Sequence, residues 1–280
     1  MRNKKNTVMA IIAILLCSCM LVTSSIYTKA ADNNIDNKKN SLLEKGCSEE
    51  IVNQLPSDVI DMISSNITEF GPSVAKIDVK KFNVTDADGS SAANASANGI
   101  INKTDINMSG YTTNYVDGNN KIIACDMICN FDWLKTPNKL GEDGITVNWD
   151  TQYFALDPYI LVEFPFTSHI KNTQTDTVEY FSSDIDIDYS VAGGVGWSFP
   201  LNKANLALEN QMEPGGMFNL VWYPTTDFYP SDYVITMFNI TYYHNNTDIP
   251  MTFTTSGNNV IAEGTSLDTH SYNIRYMSFD

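Results

Sequence analysis

The chain has 280 residues with 17 basic and 33 acidic side chains, which give a formal net charge of −16. This charge argues against nucleic acid as a partner, because binding phosphates requires clustered lysine and arginine side chains. It also predicts no strong affinity for anionic membrane surfaces, which attract basic segments.

Residues 1–30 have the pattern of a secretory signal peptide. Basic residues open the segment, an apolar run covers residues 7–22, and Thr28-Lys29-Ala30 provides a small-residue cleavage site. Without this segment the chain keeps 13 basic and 33 acidic residues, a formal charge of −20. We therefore predict a secreted protein. A lipid anchor on Cys19 and a retained membrane anchor are the alternatives.

The region after the signal predicts a polar linker followed by short helices. Residues 31–41 are rich in Asn, Asp and Lys, a composition typical of disorder. Residues 42–70 show apolar residues at helical spacing, with breaks at Gly46 and Pro56 and with Ser48 and Ser57 as N-caps. The apolar face of these helices must pack on the rest of the chain or on a partner protein.

From residue 75 to residue 280 the pattern changes to β-strands. Short runs rich in Val, Ile, Thr, Tyr and Phe alternate with turns rich in Gly, Pro, Asn and Asp. Residues 112–131 predict a β-hairpin with its turn at residues 117–120. Only residues 201–212 have a helical composition. The pattern predicts an antiparallel β-sandwich, preceded by the short helical segment.

The stretch SSDIDIDYSVAGGVGWSFP (182–200) contains the clearest candidate for a metal site. In a continuous strand Asp184, Asp186 and Asp188 would share one face, and Ile185 and Ile187 would point into the core. The spacing opens an EF-hand loop, but Tyr189 and Val195 occupy the positions that require Gly and Glu. The ordinary interpretation is a strand with one acidic face, followed by a glycine-rich bend. The alternative is a cation site, with calcium as the ion.

The three cysteines outside the signal do not form a disulfide framework. Cys125 and Cys129 lie about 13 Å apart if their segment is a strand, too far for a disulfide bond. Either could pair with Cys47, or all three could be buried thiols. No zinc-binding motif is present.

The chain resembles exported proteins of low-GC Gram-positive bacteria for which no activity is established. The matching segments are LLEKGCSEEI (42–51), FDWLKTP with DGITVNW (131–149), and GVGWSFPL with VITMFNITYYH (194–244). The resemblance implies export and a β-rich fold, and it assigns no site.

These observations predict a secreted, non-enzymatic binding protein for a cell-surface polymer, a matrix component or another protein. One alternative is a carbohydrate-active hydrolase, for which Asp186 is the first carboxylate to test. Another is a β-pore-forming toxin that inserts the glycine-rich bend into a membrane. Exposed Trp133, Trp149, Trp197 and Trp222 would form a sugar-binding face, whereas buried ones would fill the sandwich core.

Overall fold

The computed structural model divides the chain into two compact units, with the boundary between Phe70 and Gly71. The structure describes residues 34–83, 85–86, 97–102, 104–135, 137, 139, 141–157, 165–172, 177–184, 187–201, 212–230, 232 and 235–277. No helix in this described part of the chain is long and apolar enough to cross a membrane.

The described part of the first unit, residues 34–70, contains three helices. Helix α1 covers residues 34–44, α2 covers Glu49–Gln54 and α3 covers Ser57–Phe70. The predicted breaks are confirmed: Gly46 adopts a positive φ of 85°, which a glycine tolerates after a helix C-terminus. Ser48 caps α2 by accepting a hydrogen bond from the backbone N–H of Ile51, as predicted. Ser57, predicted as the N-cap of the next helix, is instead the first residue of α3. The carbonyl of Pro56 accepts a hydrogen bond from the backbone N–H of Ile60.

Residues 34–41 are helical, so the prediction of a disordered linker is wrong for them. The polar composition of this segment suggests disorder, but two apolar residues of α1, Ile35 and Leu42, share one face of the helix. Ile35 and Leu42 are seven residues apart, and Leu42 is fully buried. An ion pair at 2.8 Å between Lys38 and Asp61 further connects α1 to α3.

The second unit contains two seven-stranded sheets and a separate hairpin. Sheet I has the order β1 (Lys76–Asn83), β4 (Ile106–Val116), β5 (Ile122–Trp133), β12 (Met212–Pro224), β8 (Pro165–Asn172) and β9 (Thr177–Asp184), with β7 (Phe154–Leu156) beside β12. Sheet II has the order β10 (Tyr189–Val191), β11 (Gly194–Pro200), β6 (Glu142–Asn148), β13 (Ile235–Asn245), β16 (Leu267–Met277) and β2 (Thr85–Asp86), with β3 (Ala97–Ile100) beside β16. Strands β14 (Thr252–Ser256) and β15 (Asn259–Glu263) form the hairpin.

The predicted antiparallel sandwich is confirmed. All strand pairs of the described residues are antiparallel except β3 with β16. Side chains of the two sheets interdigitate between them, as the ring contacts show: Trp197 lies 5.2 Å from Phe218, and Trp222 lies 4.7 Å from Phe238. Strands β4 and β5 form the predicted hairpin, and the side chain of Asp117 accepts hydrogen bonds from two backbone N–H groups of its turn.

The hairpin of β14 and β15 packs on the outer face of sheet II. Three glycines leave room for it there: Gly144, Gly194 and Gly196. A Cβ atom at Gly196 would lie 2.6 Å from Phe253 and 2.9 Å from Val260. The side-chain amide of Asn148 also bonds to both the backbone N–H and the carbonyl of Val260, as a neighbouring strand would.

Candidate functional site

The four tryptophans lie in the core. The exposed fractions of Trp133, Trp149, Trp197 and Trp222 are 4%, 5%, 0% and 1%. They contact other aromatic rings; for example, Trp149 and Trp222 pack edge to face at 5.7 Å. The hypothesis of a tryptophan-lined sugar-binding face therefore has no support, because rings in the core cannot stack on a ligand.

The aspartate stretch is not one continuous strand. Strand β9 ends at Asp184 in sheet I, and β10 begins at Tyr189 in sheet II. The expected single acidic face is therefore wrong, since the chain changes sheets between these residues. Asp188 is exposed and accepts hydrogen bonds from the N–H and the hydroxyl of Ser198, at 2.6 and 2.8 Å. Ile187, expected in the core, is half-buried.

Ile185, Asp186 and the side chain of Asp184 lie outside the described residues. No group of three metal-ligating side chains lies together among the residues that the structure describes. The cation site at Asp184, Asp186 and Asp188, and the hydrolase test at Asp186, remain predictions. The weakly predicted helix over 201–212 also falls mainly on undescribed residues, and Met212 begins β12.

The glycine-rich segment after Asp188 is a tight hairpin turn between β10 and β11, which confirms the interpretation as a bend. Gly193 and Gly194 are buried. A Cβ atom at Gly193 would lie 2.7 Å from the carbonyl oxygen of Asn258, next to the β14–β15 hairpin. The two glycines of the bend are therefore covered by the protein itself, and Ala192 is its exposed residue.

Asp143 lies at the centre of a hydrogen-bonded network inside the sandwich. Its carboxylate accepts a hydrogen bond from the hydroxyl of Tyr242 at 2.6 Å and one from the backbone N–H of Asn245 at 3.3 Å. Nδ1 of His244 lies 2.9 Å from the same carboxylate, and Nε1 of Trp133 donates to the Tyr242 hydroxyl at 2.9 Å. An ionised carboxylate only accepts hydrogen bonds, so Nδ1 of His244 is the donor when Asp143 is ionised.

Burial dominates the electrostatics of this network. It raises the pKa of Asp143 above its usual range, although the hydrogen bond from His244 opposes the shift. Burial also raises the pKa of Tyr242 well above its usual range, and the nearby charge of Asp143 adds to the effect. Asp143 is fully buried and His244 is 3% exposed. The network resembles an acid–base pair, but no substrate reaches it, so its role is to order the sandwich interior.

A second Asp–His pair lies on the outer face of sheet I. Nε2 of His169 in β8 is 2.6 Å from Oδ1 of Asp132 in β5, and the side chains are 13% and 35% exposed. The two strands are not neighbours, because β12 runs between them. Gly215 of β12 stands opposite both residues. A Cβ atom at Gly215 would lie 2.8 Å from Oδ1 of Asp132 and closer still to the imidazole of His169, so the pair depends on this glycine.

The pair belongs to a patch of polar side chains that we call the polar face. Side chains alternate along a strand, so residues opposite one another in the register share a face. The two rows of the polar face run across β4, β5, β12 and β8, and their members are Asn107, Asp132, Gly215 and His169 in the first row and Ser109, Asn130, Met217 and Thr167 in the second.

The polar face is partly exposed, whereas the adjoining row of β4, β5 and β12 is buried. Its polar side chains are half-buried, except Asn107, which is exposed, and Met217 is buried between them. In the next row along the strands Tyr111, Ile128 and Asn219 are all buried. On β4, β5 and β12 the polar face therefore ends at this row, whereas Lys81 of β1, opposite Tyr111, is exposed.

The sequence did not predict the polar face. Asp132 and His169 are 37 residues apart and share no local motif. Their meeting depends on the order β5–β12–β8 in the sheet, and strand order is not encoded in any short segment. The only local signal was the pair Gly215-Gly216 inside an otherwise β-like segment, since glycine within a strand often marks a close approach of other groups.

The three cysteines are free thiols and all are buried. Cys125 and Cys129 both lie in β5, as the strand prediction required, and they do not bond to each other. Burial raises the pKa of both thiols far above the usual range, so neither is a reactive nucleophile. Of the two alternatives for the cysteines, the structure has buried thiols rather than a disulfide with Cys47.

No protein-family model and no curated protein sequence matches this chain. Among solved structures it is similar to the KRT10-binding region domain of the pneumococcal serine rich repeat protein PsrP, with 10% identity and a TM-score of 0.28 over 60% of this chain and 86% of that one. It is also similar to the C-terminal domain of the Streptococcus pyogenes antigen I/II-family protein AspA, with 10% identity and a TM-score of 0.28 over 60% of this chain and 55% of that one.

A third similar structure is AvmM, which catalyses macrocyclization in alchivemycin A biosynthesis, with 8% identity and a TM-score of 0.26 over 75% of this chain and 90% of that one. Of the AspA domain described above, this chain covers just over half the length. Likenesses with TM-scores below 0.3 carry no argument about function. The functional argument therefore depends on the residues of this chain.

Proposed function

We propose that the protein is an extracellular binding protein and that its ligand contacts the polar face of sheet I. The observation that carries the proposal is the set of polar side chains held in register on a rigid sheet, with the Asp132–His169 pair across Gly215 at its centre. Sites built on regular strands hold their side chains more precisely than sites on loops. The predicted signal peptide supports an extracellular location.

A binding role also agrees with what surrounds the pair. The buried Asp143–His244 network is closed to substrates, and the thiols of β5 are buried, so neither supplies a catalytic group at the surface. On the polar face one carboxylate and one imidazole accompany neutral amides and hydroxyls, groups that recognise a partner through hydrogen bonds.

A retention assay tests this function. The secreted chain, labelled with a fluorophore, is incubated with insoluble cell walls, insoluble polysaccharides and immobilised matrix proteins, and the bound fraction is measured. We expect retention on at least one of these materials. The double variant N107A/T167A, which removes two outer polar groups and leaves the Asp132–His169 pair intact, should reduce the bound fraction several-fold.

The matched control for this assay is T252A, at an exposed threonine of the β14–β15 hairpin. This hairpin is not part of sheet I. It should bind as the unchanged protein does. If the protein is retained on none of the materials, or if N107A/T167A binds as well as T252A, the proposed function or its placement on the polar face is wrong. Leakage from liposomes would instead support a pore-forming function.

A further inference from the structure

Several hydrogen-bonding side chains of the polar face have no partner among the residues that the structure describes. The side chains of Asn107, Ser109, Asn130 and Thr167 make no hydrogen bond to any residue that the structure describes. Asp132 uses Oδ1 for His169, and its Oδ2 has no partner among the described residues. Polar groups placed side by side without partners in the protein are available for a ligand.

The shape of this surface excludes one common mode of peptide binding. Strands β4, β5, β12 and β8 are hydrogen-bonded to one another, so their backbone groups are already paired. A peptide that binds by adding a strand needs a free sheet edge instead. A ligand on the polar face meets side chains only, over three strand spacings, or about 14 Å.

The side chains of the polar face are better suited to bind the hydroxyl groups of a ligand than to bind the surface of another protein. Protein interfaces obtain most of their binding energy from buried aromatic, arginine and other large anchors. The only large apolar side chain of the two rows, Met217, is 4% exposed and offers no such anchor. Side-chain amides, hydroxyls and a carboxylate oxygen instead provide adjacent donors and acceptors, and a sugar hydroxyl both donates and accepts.

The charge of the protein further restricts the class of ligand. The chain has a formal net charge of −16, which repels polyanions such as acidic polysaccharides. On the polar face Oδ1 of Asp132 is bonded to His169, and a carboxylate at this place disfavours an anionic ligand as well. An uncharged ligand is repelled neither by the net charge of the chain nor by the carboxylate of Asp132.

From these observations we infer that the polar face binds an uncharged saccharide, with Oδ2 of Asp132 and the amide of Asn130 bonding to its hydroxyl groups. The inference rests on the proposed function and names its ligand class. His169 is a positioning residue: it holds Oδ1 and so orients Oδ2 of the same carboxylate toward the ligand. Gly215 provides the gap across which the two side chains meet.

The test uses an array of uncharged, amino and acidic oligosaccharides with the secreted chain, followed by titration calorimetry on those that bind. We expect uncharged oligosaccharides to bind and D132N to weaken binding at least tenfold. The matched control D248N changes an aspartate whose side chain is 96% exposed and lies outside the polar face, and it should bind normally. N130A should also weaken binding, and an unchanged thermal midpoint would show that it still folds.

Matrix glycoproteins before and after enzymatic removal of their glycans distinguish the other outcomes. Binding that survives removal of the glycans and is lost in D132N would identify a polypeptide partner, and the saccharide inference would fail while the proposed function stands. Binding of acidic oligosaccharides in preference to uncharged ones would also overturn it. Retention on none of the materials in either assay would remove the proposed function as well.

Discussion

Nδ1 of His244 lies 2.9 Å from Oδ1 of Asp143 inside the sandwich, although the two residues are 101 positions apart in the chain. Asp143 belongs to β6 and His244 to the neighbouring strand β13, and the ring of His244 packs edge to face on Trp133 of the opposite sheet at 5.1 Å. The pair therefore joins two neighbouring strands through buried polar side chains.

Removing one member of this network should strongly destabilise the fold. In D143A the donors of Tyr242, His244 and Asn245 lose their common acceptor and remain buried. Each buried hydrogen-bonding group left without its partner in this way costs about 1–3 kcal/mol. Urea unfolding should show a lower midpoint for D143A, with D248A, at a surface pair, as the unchanged control. A wild-type midpoint for D143A would contradict the central role of this network.

Tyr242 should make the fold sensitive to alkaline pH. Burial raises its pKa in the folded protein well above the ordinary tyrosine value of 10.0. The stability that it contributes is therefore fully present below about pH 10 and is lost as pH rises through its folded pKa. The free energy of unfolding should therefore fall above about pH 10. In Y242F this fall should be shallower, although the protein is less stable at neutral pH because Asp143 and Trp133 lose a partner.

The control for this pH dependence is Y229F, which changes a tyrosine that is 39% exposed and should keep the wild-type slope. Unfolding in urea at a series of pH values from 8 to 11.5 provides the measurement. Equal slopes for Y242F and the wild type would show that burial of this hydroxyl does not control the alkaline behaviour.

Cys125 and Cys129 should resist thiol reagents in the native protein. They are 1% and 0% exposed, and their raised pKa values keep them as thiols, whereas the thiolate is the reactive form. Alkylation followed by peptide mass spectrometry should find both unmodified in buffer and both modified in urea. Rapid labelling without denaturant, or a mass two hydrogens lower from a disulfide with Cys47, would contradict the buried free thiols.

Gly196 should not tolerate a side chain. A methyl group there would meet Phe253 at 2.6 Å and Val260 at 2.9 Å, so the β14–β15 hairpin would have to shift away from sheet II. Overpacking of this kind typically costs about 1–3 kcal/mol. A Cβ atom at Gly118 meets no atom within 4 Å, which makes G118A the matched control. Differential scanning calorimetry should show a lower midpoint for G196A alone, and equal midpoints would refute the close packing of the hairpin.

The local elements of the fold could be predicted because their signals are local. The cap at Ser48, the break at Gly46 and the hairpin of β4 and β5 each depend on a few neighbouring residues, whose conformational preferences act wherever they occur. The helix over residues 34–44 was missed because a polar composition hid the spacing of Ile35 and Leu42.

The aspartate stretch shows where local patterns mislead. Alternation of Asp and Ile from residue 184 to residue 188 predicts a strand, but alternation does not indicate at which residue a chain leaves its sheet. The structure ends β9 at Asp184 and begins β10 in the other sheet at Tyr189. The pairing of whole strands determined this outcome, and that pairing involves residues far away in the chain.

The sequence by itself determined the β-rich class of the large unit, the short helices within residues 42–70 and the acidic charge, because propensity, periodicity and composition are properties of short segments or simple sums. Only the tertiary structure decided that the tryptophans fill the core and that Asp132 meets His169 across Gly215. Both depend on which strands become neighbours, since a sheet brings together side chains from distant segments and buries one face of each strand.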